Sequence, residues 1–316
     1  MPSLSLKSPA KLNVFLKVLA KRPDGYHDLE TVFERIDLCD EIRLTANKTG
    51  KIKILCDHPQ VPAGPKNLAY KAALMLQKKF GVREGVVVKI HKRIPVAAGL
   101  AGGSSNAATT LLGLNKIWQL GLSQAHLVRL GAQIGSDVPF FLHQTSWALG
   151  QGRGDLISVF KVPGKFWHVV VVPRLKMYSK DVFSRLNLEL TKRGADVNIF
   201  TLALKERPAK ETGQLLYPPS SQNFRLGTSV DSAKGKKEEQ RALPVGLHND
   251  LETSILSIRP ELLRVKERLL KYNFLGVAFS GSGPACYGLA SSESQARAVA
   301  KDLRRTYRQV FAVRTL

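Results

Sequence analysis

A chain of 316 residues, 44% of them hydrophobic, can bury a sizeable core and is long enough for two domains. Its formal charge of +23 is spread along the sequence, with no basic tail and no basic block interleaved with aromatics, so a patterned nucleic-acid surface is not indicated. A general positive field that draws in small anions accounts for the same excess. Three widely spaced cysteines (Cys39, Cys56, Cys286) argue against a disulfide frame or a zinc cluster, and apolar runs such as His168–Pro173 are too short to cross a bilayer.

Alternating apolar and polar residues over Leu4–Leu6 and Leu12–Leu19 predict strands, and Asp24-Gly25 is a hairpin-type turn signal. Apolar residues at 68, 72, 75, 76 and 80 predict a helix over Asn67–Phe80. A strand at Val86–Ile90, a glycine loop and a helix from Ser105 to about Trp118 follow, and Ser123 caps another helix. Gly150, Gly152 and Gly154 read as the transition between two domains, 1–155 and 156–316. The second half opens with a strand at His168–Val172. Residues 205–243, polar and rich in Pro, Ser and Lys, read as a long surface insertion, for which plain loop is the simplest description. Pro260 leads a helix to about Tyr272, two apolar strands flank Gly281-Ser282-Gly283-Pro284, and a helix over Ser294–Tyr307 with a strand at Val310–Val313 completes the pattern.

Two features carry chemistry. In PVAAGLAGGSSNAA (residues 95–108) a flexible loop opens a helix, presenting unpaired N–H groups and the positive end of the helix dipole to an anion. Glycines let the backbone approach a phosphate, while Ser104 and Ser105 could add hydroxyl donors or reach a magnesium ion. No Lys follows the glycines at the Walker A position. An ordinary capped helix would explain this segment alone. The second feature is a tract without Asp or Glu from Gly85 to Ser136, ended by Asp137 in GSDVPFF. Such a tract suits a polyphosphate, and Asp137 reads equally as a placed carboxylate or as a turn or helix-cap residue.

The order SPAKLN, PxxxGLxGGSSNAA, GSDVPFF and SGSGP resembles the GHMP small-molecule kinases over nearly the whole chain. RPDGYHDLETVF (residues 22–33) together with SSNAA is similar to the branch acting on 4-diphosphocytidyl-2-C-methyl-D-erythritol, on the methylerythritol phosphate route to isoprenoid precursors. The resemblance implies an α+β architecture with an N-terminal nucleotide-binding domain and a C-terminal ferredoxin-like domain. It implies ATP-dependent phosphorylation of that substrate's 2-hydroxyl, with Mg2+ delivered by ATP and no separate metal site. Lys11 and Asp137 would be catalytic. Pro95, Val96, Ala97, Ala98, Gly99, Leu100, Ala101, Gly102, Gly103, Ser104 and Ser105 would bind ATP phosphates, with Asn67 and Lys92 on the adenine side. Asn13 would hold the reacting end of the substrate, Tyr26 and His27 would take its cytosine, and Phe183 would close the other face of the ring. Ala98 and Ala101 stand where related chains often have glycine, which makes the loop slightly stiffer. The expected setting is the bacterial cytoplasm, with a cytidine-diphosphate-bearing small molecule as partner, no specific nucleic acid, no membrane, and the oligomeric state open. A homoserine- or mevalonate-type kinase is the nearest alternative, and a basic nucleic-acid-binding protein on a similar fold a more distant one.

Overall fold

The computed structural model describes residues 1–188, 196–205 and 246–316. Apart from Lys205, the insertion expected at 205–243 lies outside them. The spine is an antiparallel pair of long strands, β1 (Ser3–Lys21) and β2 (His27–Asn47), joined by a turn in which Gly25 takes φ +83°. Where alternation predicts two short strands, β1 is continuous. Ala10 to Leu16 are all buried because the strand is covered on both faces, so the period of two fades. Register shifts at Pro9/Ala10, Asn13/Phe15 and Val18/Ala20 re-aim its side chains.

On the other edge of β2, β4 (Gly85–His91) pairs antiparallel and β3 (Ile52–Cys56) continues the sheet parallel to β4. The other end of β2 pairs with β5 (Trp147–Gln151), which forms a hairpin with β6 (Leu156–Phe160). Gly152 and Gly154 lie at positive φ in that hairpin. The expected boundary at 155/156 therefore falls inside a hairpin of the first sheet, because the glycines serve its tight turn rather than a linker.

Helices α1 (Leu68–Lys79), α2 (Gly102–Ile117), α3 (Gln124–Ile134) and α4 (Val138–Leu142) cover one face of this sheet. Asn67 caps α1, its Oδ1 accepting Ala69 N–H at 2.8 Å, and Ser123 caps α3 through His126 N–H at 3.3 Å. Leu76, Leu111, Leu114, Leu130 and Phe140 pack against Ile42, Leu44, Val88 and Ile90. Each such buried side chain contributes about 1.5–3 kcal/mol. The helix expected from Ser105 begins three residues earlier, because Ala101 rather than a serine stands at its N-cap, with φ +53°.

The second sheet is antiparallel, with β7 (Trp167–Val172), β9 (Gly276–Phe279), β10 (Cys286–Ala290) and β11 (Gln309–Arg314) in the order β11–β7–β10–β9. Between β7 and β9 lie α5 (Ser179–Ser184), α6 (Val197–Lys205), α7 (Glu252–Ile258) and α8 (Leu262–Leu270); α9 (Glu293–Leu303) links β10 to β11. Taking α7 and α8 as one helical layer, this is the ferredoxin-like βαββαβ order. The two sheets exchange material. Strand β8 (His248–Asn249) pairs with β1, and Asp250 Oδ2 accepts Val18 N–H at 2.8 Å. Where the sheets meet, His168 Nε2 lies 3.0 Å from Glu34 Oε1, which also accepts Thr315 Oγ1–H at 2.6 Å; all three residues are buried. No helix among the described residues is long and apolar enough to cross a membrane.

Candidate active site

The glycine loop joins β4 to α2, and its shape depends on close contact with the turn between β9 and β10. Ser280 Oγ donates to Gly99 O (3.1 Å) and Ala285 N–H to Ala98 O (3.2 Å). A β-carbon on Gly283 would stand 2.1 Å from Gly99 N, and one on Gly99, at φ +81°, would stand 2.1 Å from Ser280 O. Gly283 of SGSGP is thus required by backbone-on-backbone packing, while Gly281, at φ +56°, faces the Asn13 and Lys11 side chains. Ala97 and Ala101 take φ of +55° and +53°, left-handed conformations that cost an alanine roughly 1 kcal/mol each. Ala98 is not among the positive-φ residues, so of the two positions expected to stiffen the loop only Ala101 carries this strain.

A cavity of about 350 Å³ opens against this loop. Pro95 through Gly99 and Ala101 through Ser104 line it, with Lys11, Lys66, Lys92 and Asp137. The N–H groups of Gly102, Gly103 and Ser104 precede the first helical bond of α2, from Ser105 N–H to Ala101 O at 3.0 Å. Two expected loop contacts are corrected. Leu100 is buried in the core between the sheets, and only its carbonyl faces β1, accepting Lys11 N–H at 3.2 Å. Ser105 is fully buried and its hydroxyl accepts from Ser8 Oγ at 2.8 Å, so neither lines the cavity.

Lys11, on the buried stretch of β1, is 4% exposed; it donates to Asn13 Oδ1 and stands 5.5 Å from the centre of the Phe33 ring. Burial pulls its pKa below the ordinary lysine value, and the field of Asp137 partly restores it. Asp137 occupies the N-cap position of α4 but makes no capping hydrogen bond, so its carboxylate is left for the cavity. Asn13 is fixed from every side. Its Nδ2 donates to Thr31 Oγ1 (2.7 Å), which donates on to Phe15 O (2.7 Å), and its carbonyl accepts Tyr287 OH (3.0 Å). The catalytic pair expected from the sequence therefore shares one cavity with the start of α2.

Beneath the loop lies a charged network that sequence reading missed. Asp40, fully buried on β2 beside its register shift against β1, accepts Arg93 N–H and Ile94 N–H at 2.8 Å each, Lys92 Nζ at 2.7 Å and Asn106 Nδ2 at 2.9 Å. Lys92 Nζ also donates to Ile94 O at 2.6 Å. Lys92 touches the cavity, but its ammonium is held by Asp40. Asn67 likewise lines the cavity while its side chain caps α1 and donates to Pro62 O (2.8 Å). The rest of the wall comes from Gln60 to Pro62 and Lys66, which carry no motif, and from Leu68, Asn106, Met177, Ser179 and Ser282.

The expected cytosine residues lie outside this cavity. His27 and Phe183 stack directly on each other, ring centres 5.1 Å apart and tilted 27°, so the slot between them is closed. Burial and Lys21 lower the His27 pKa. Tyr26 is exposed under the Arg153 guanidinium (5.0 Å), which Asp155 holds at 2.6 Å. One contact links this region to the cavity: α5, which carries Phe183, begins at Ser179, whose Oγ lies 2.7 Å from Ser282 Oγ, and both serines line the cavity.

A lysine and a carboxylate share one cavity with a helix N-terminus and two interlocked glycine turns, an arrangement suited to phosphoryl transfer. Residues 67–145 match the family described as GHMP kinases N terminal domain, and residues 237–309 the one described as GHMP kinases C terminal. The chain belongs to the GHMP kinases, which are ATP-dependent. Its relatives include a 4-diphosphocytidyl-2-C-methyl-D-erythritol kinase of Shouchella clausii, 38% identical over 99% of this chain and 94% of that protein. Another of the same name, from Geobacillus thermodenitrificans, is 40% identical over 99% of this chain and 97% of that one. A crystal structure of 4-(cytidine 5'-diphospho)-2C-methyl-D-erythritol kinase superposes with a TM-score of 0.73 at 30% identity, covering 98% of each chain. A homoserine kinase from Cytophaga hutchinsonii covers 100% of this chain and 95% of its own, with a TM-score of 0.63; at 15% identity it shares the fold alone.

Proposed function

We propose that the chain transfers the γ-phosphoryl group of ATP to the 2-hydroxyl of 4-diphosphocytidyl-2-C-methyl-D-erythritol. The observation that supports this most is the meeting of Lys11, Asp137 and the first turn of α2 at one cavity. The N–H groups of Gly102, Gly103 and Ser104 receive the ATP phosphates. Asp137 accepts the hydroxyl proton as the new oxygen–phosphorus bond forms and the bond to the ADP oxygen breaks. Lys11 offsets the charge that builds on the hydroxyl oxygen and the transferred group. Asn13, locked in its own hydrogen bonds, keeps that ammonium in place.

Among the described residues no group of three His, Cys, Asp or Glu could hold a metal ion. The donors that line the cavity, the Ser104 hydroxyl and the Asp137 carboxylate, are oxygen ligands of the kind Mg2+ takes beside phosphate oxygens and water. Mg2+ arriving with ATP would be held there by the phosphates and the Ser104 hydroxyl and would neutralise phosphate charge. The cytidyl end extends past the first turn of α5, where the His27–Phe183 stack parts to admit cytosine and Tyr26 flanks it. The nucleotide end thus falls to the first half of the chain, while α5 and the SGSGP turn of the second half frame the acceptor.

An assay coupled to ADP release tests this across alcohols with and without the cytidine diphosphate group. Turnover with the cytidyl substrate and little without it is expected; equal turnover of homoserine or mevalonate would overturn the substrate assignment.

A further inference from the structure

A second cavity, of about 130 Å³, shares no lining residue with the first. Leu6, Leu112 and Phe141 form its apolar walls, and Lys7, Arg35 and Lys116 bring cations to it, with no carboxylate in the lining. Among the described residues, none of these cations has a carboxylate within ion-pair distance, although β2 carries three nearby. Asp37 is taken by Arg314 (3.5 Å), Asp40 by Lys92 (2.7 Å), and Glu41, which stands across the ladder from Lys7, by Arg93 (3.0 Å).

Arg35 is the informative member. Its Nη2 donates to Gln144 O at 2.8 Å, but its Nε is buried and has no acceptor. A buried donor on a charged group is costly to leave unpaired, and a guanidinium edge matches the spacing of phosphate oxygens. Cys39, close enough for Lys7 and Arg35 to act on it electrostatically, has a thiol pushed up to about 11 by burial; it stays neutral and adds no compensating charge.

We propose that this cleft is a binding site for a small organic phosphate bearing an apolar group. The phosphate sits among Lys7, Arg35 and Lys116, the Arg35 guanidinium turning toward the cleft so that its unpaired Nε gains an acceptor, and the apolar group lies against Leu6, Leu112 and Phe141. Three cations, none with a carboxylate in ion-pair contact among the described residues, suit a dianion over a carboxylate. The site is separate from the ATP cavity, and its walls come from elements that also build that cavity: β1 ahead of Lys11, α2 beyond the glycine loop, and α4 after Asp137.

The test is a calorimetric titration of phenyl phosphate into protein saturated with a non-hydrolysable ATP analogue, which keeps the first cavity filled. Saturable binding is expected, weakened about tenfold or more in the Lys7→Gln/Lys116→Gln double variant, whose ATP turnover stays normal because both residues are exposed and outside the catalytic machinery. Benzoate and inorganic phosphate, each lacking one half of the recognised chemistry, bind more weakly. The proposal fails if phenyl phosphate shows no saturable binding, if the double variant binds it unchanged, or if benzoate or inorganic phosphate binds as tightly.

Discussion

Replacing Asp40 by Asn keeps the size of the side chain and reverses the sense of half its contacts. The Asn carbonyl can still accept Arg93 and Ile94 N–H, but its Nδ2 then faces Lys92 Nζ and Asn106 Nδ2, both donors. The Lys92 ammonium, 5% exposed, loses its anion. Removing one partner of a buried pair costs about 3–5 kcal/mol. At roughly 2–4 °C per kcal/mol for a large domain, Asp40→Asn should melt on the order of 6–20 °C lower. A pH signature separates this from generic damage. Burial already lowers the Lys92 pKa and Asp40 is the main group that raises it, so in the variant burial is opposed only by the weaker fields of Cys56 and Asp57 and the folded-state pKa falls further. Above that pKa the unfolded state holds more protons than the folded one, so stability rises with pH there. The deficit at about pH 7 should therefore shrink toward about pH 9–10, as Lys92 loses its proton. Adding Lys92→Met should recover part of the loss. Scanning calorimetry of the single and double variants at both pH values decides the matter. A melting point unchanged by Asp40→Asn, or a deficit that widens with pH, would refute the argument that this carboxylate anchors the glycine loop.

Asp137→Asn should lower turnover by about 10²–10⁴-fold, and, because Asp137 raises the Lys11 pKa, it should shift the alkaline limb of kcat/KM to lower pH; a limb that does not move would separate the two residues. Gly283→Ala forces a methyl to within 2.1 Å of Gly99 N, so it should cost about 1–3 kcal/mol in melting measurements and raise KM for ATP, whereas Ser282→Ala beside it should cost little on either readout. Phe183→Ala removes a stacking face worth about 1–3 kcal/mol, so KM for the cytidyl substrate should rise roughly 5–100-fold with KM for ATP unchanged; equal rises in both would point to a collapsed α5. Ala101→Gly relieves a left-handed alanine and should leave ATP binding intact with a melting point no lower than the parent's, a result read by differential scanning fluorimetry.

Elements with local signatures were legible in the sequence. Asn67 and Ser123 cap helices where their side chains predict, and the valines of 168–172 form a strand because a run buried on both faces needs no alternation. The glycine loop, Lys11 and Asp137 meet at one cavity, as the motif order in the family resemblance implies, although nothing in the residues around Lys11 alone marks it. What escaped was set by distant partners. Nothing local marks Asp40 in LCDEI as the anchor of a loop more than fifty residues away, because its acceptors are satisfied by the backbone just past β4, at Arg93 and Ile94, and by the side chains of Lys92 and Asn106. Ser105 reads as a phosphate donor until Ser8, on β1, is seen to donate to its buried hydroxyl. The glycines of the 150s suggested a linker, because a hairpin turn and an interdomain hinge ask the same freedom of the backbone. The closed His27–Phe183 stack depends on α5 arriving from the second half, which no spacing in GYH can announce.

The borrowing between sheets bears on how the polypeptide can be cut. Val18 N–H waits for Asp250, Leu16 O for the backbone of the same residue, and Glu34 for Thr315. A fragment stopping near residue 160 would keep the nucleotide loop yet strand these polar atoms and lose the turn that wedges Gly99. Complementation by two separately expressed halves should then restore ordered nucleotide binding only on mixing, each piece serving as the other's missing scaffold.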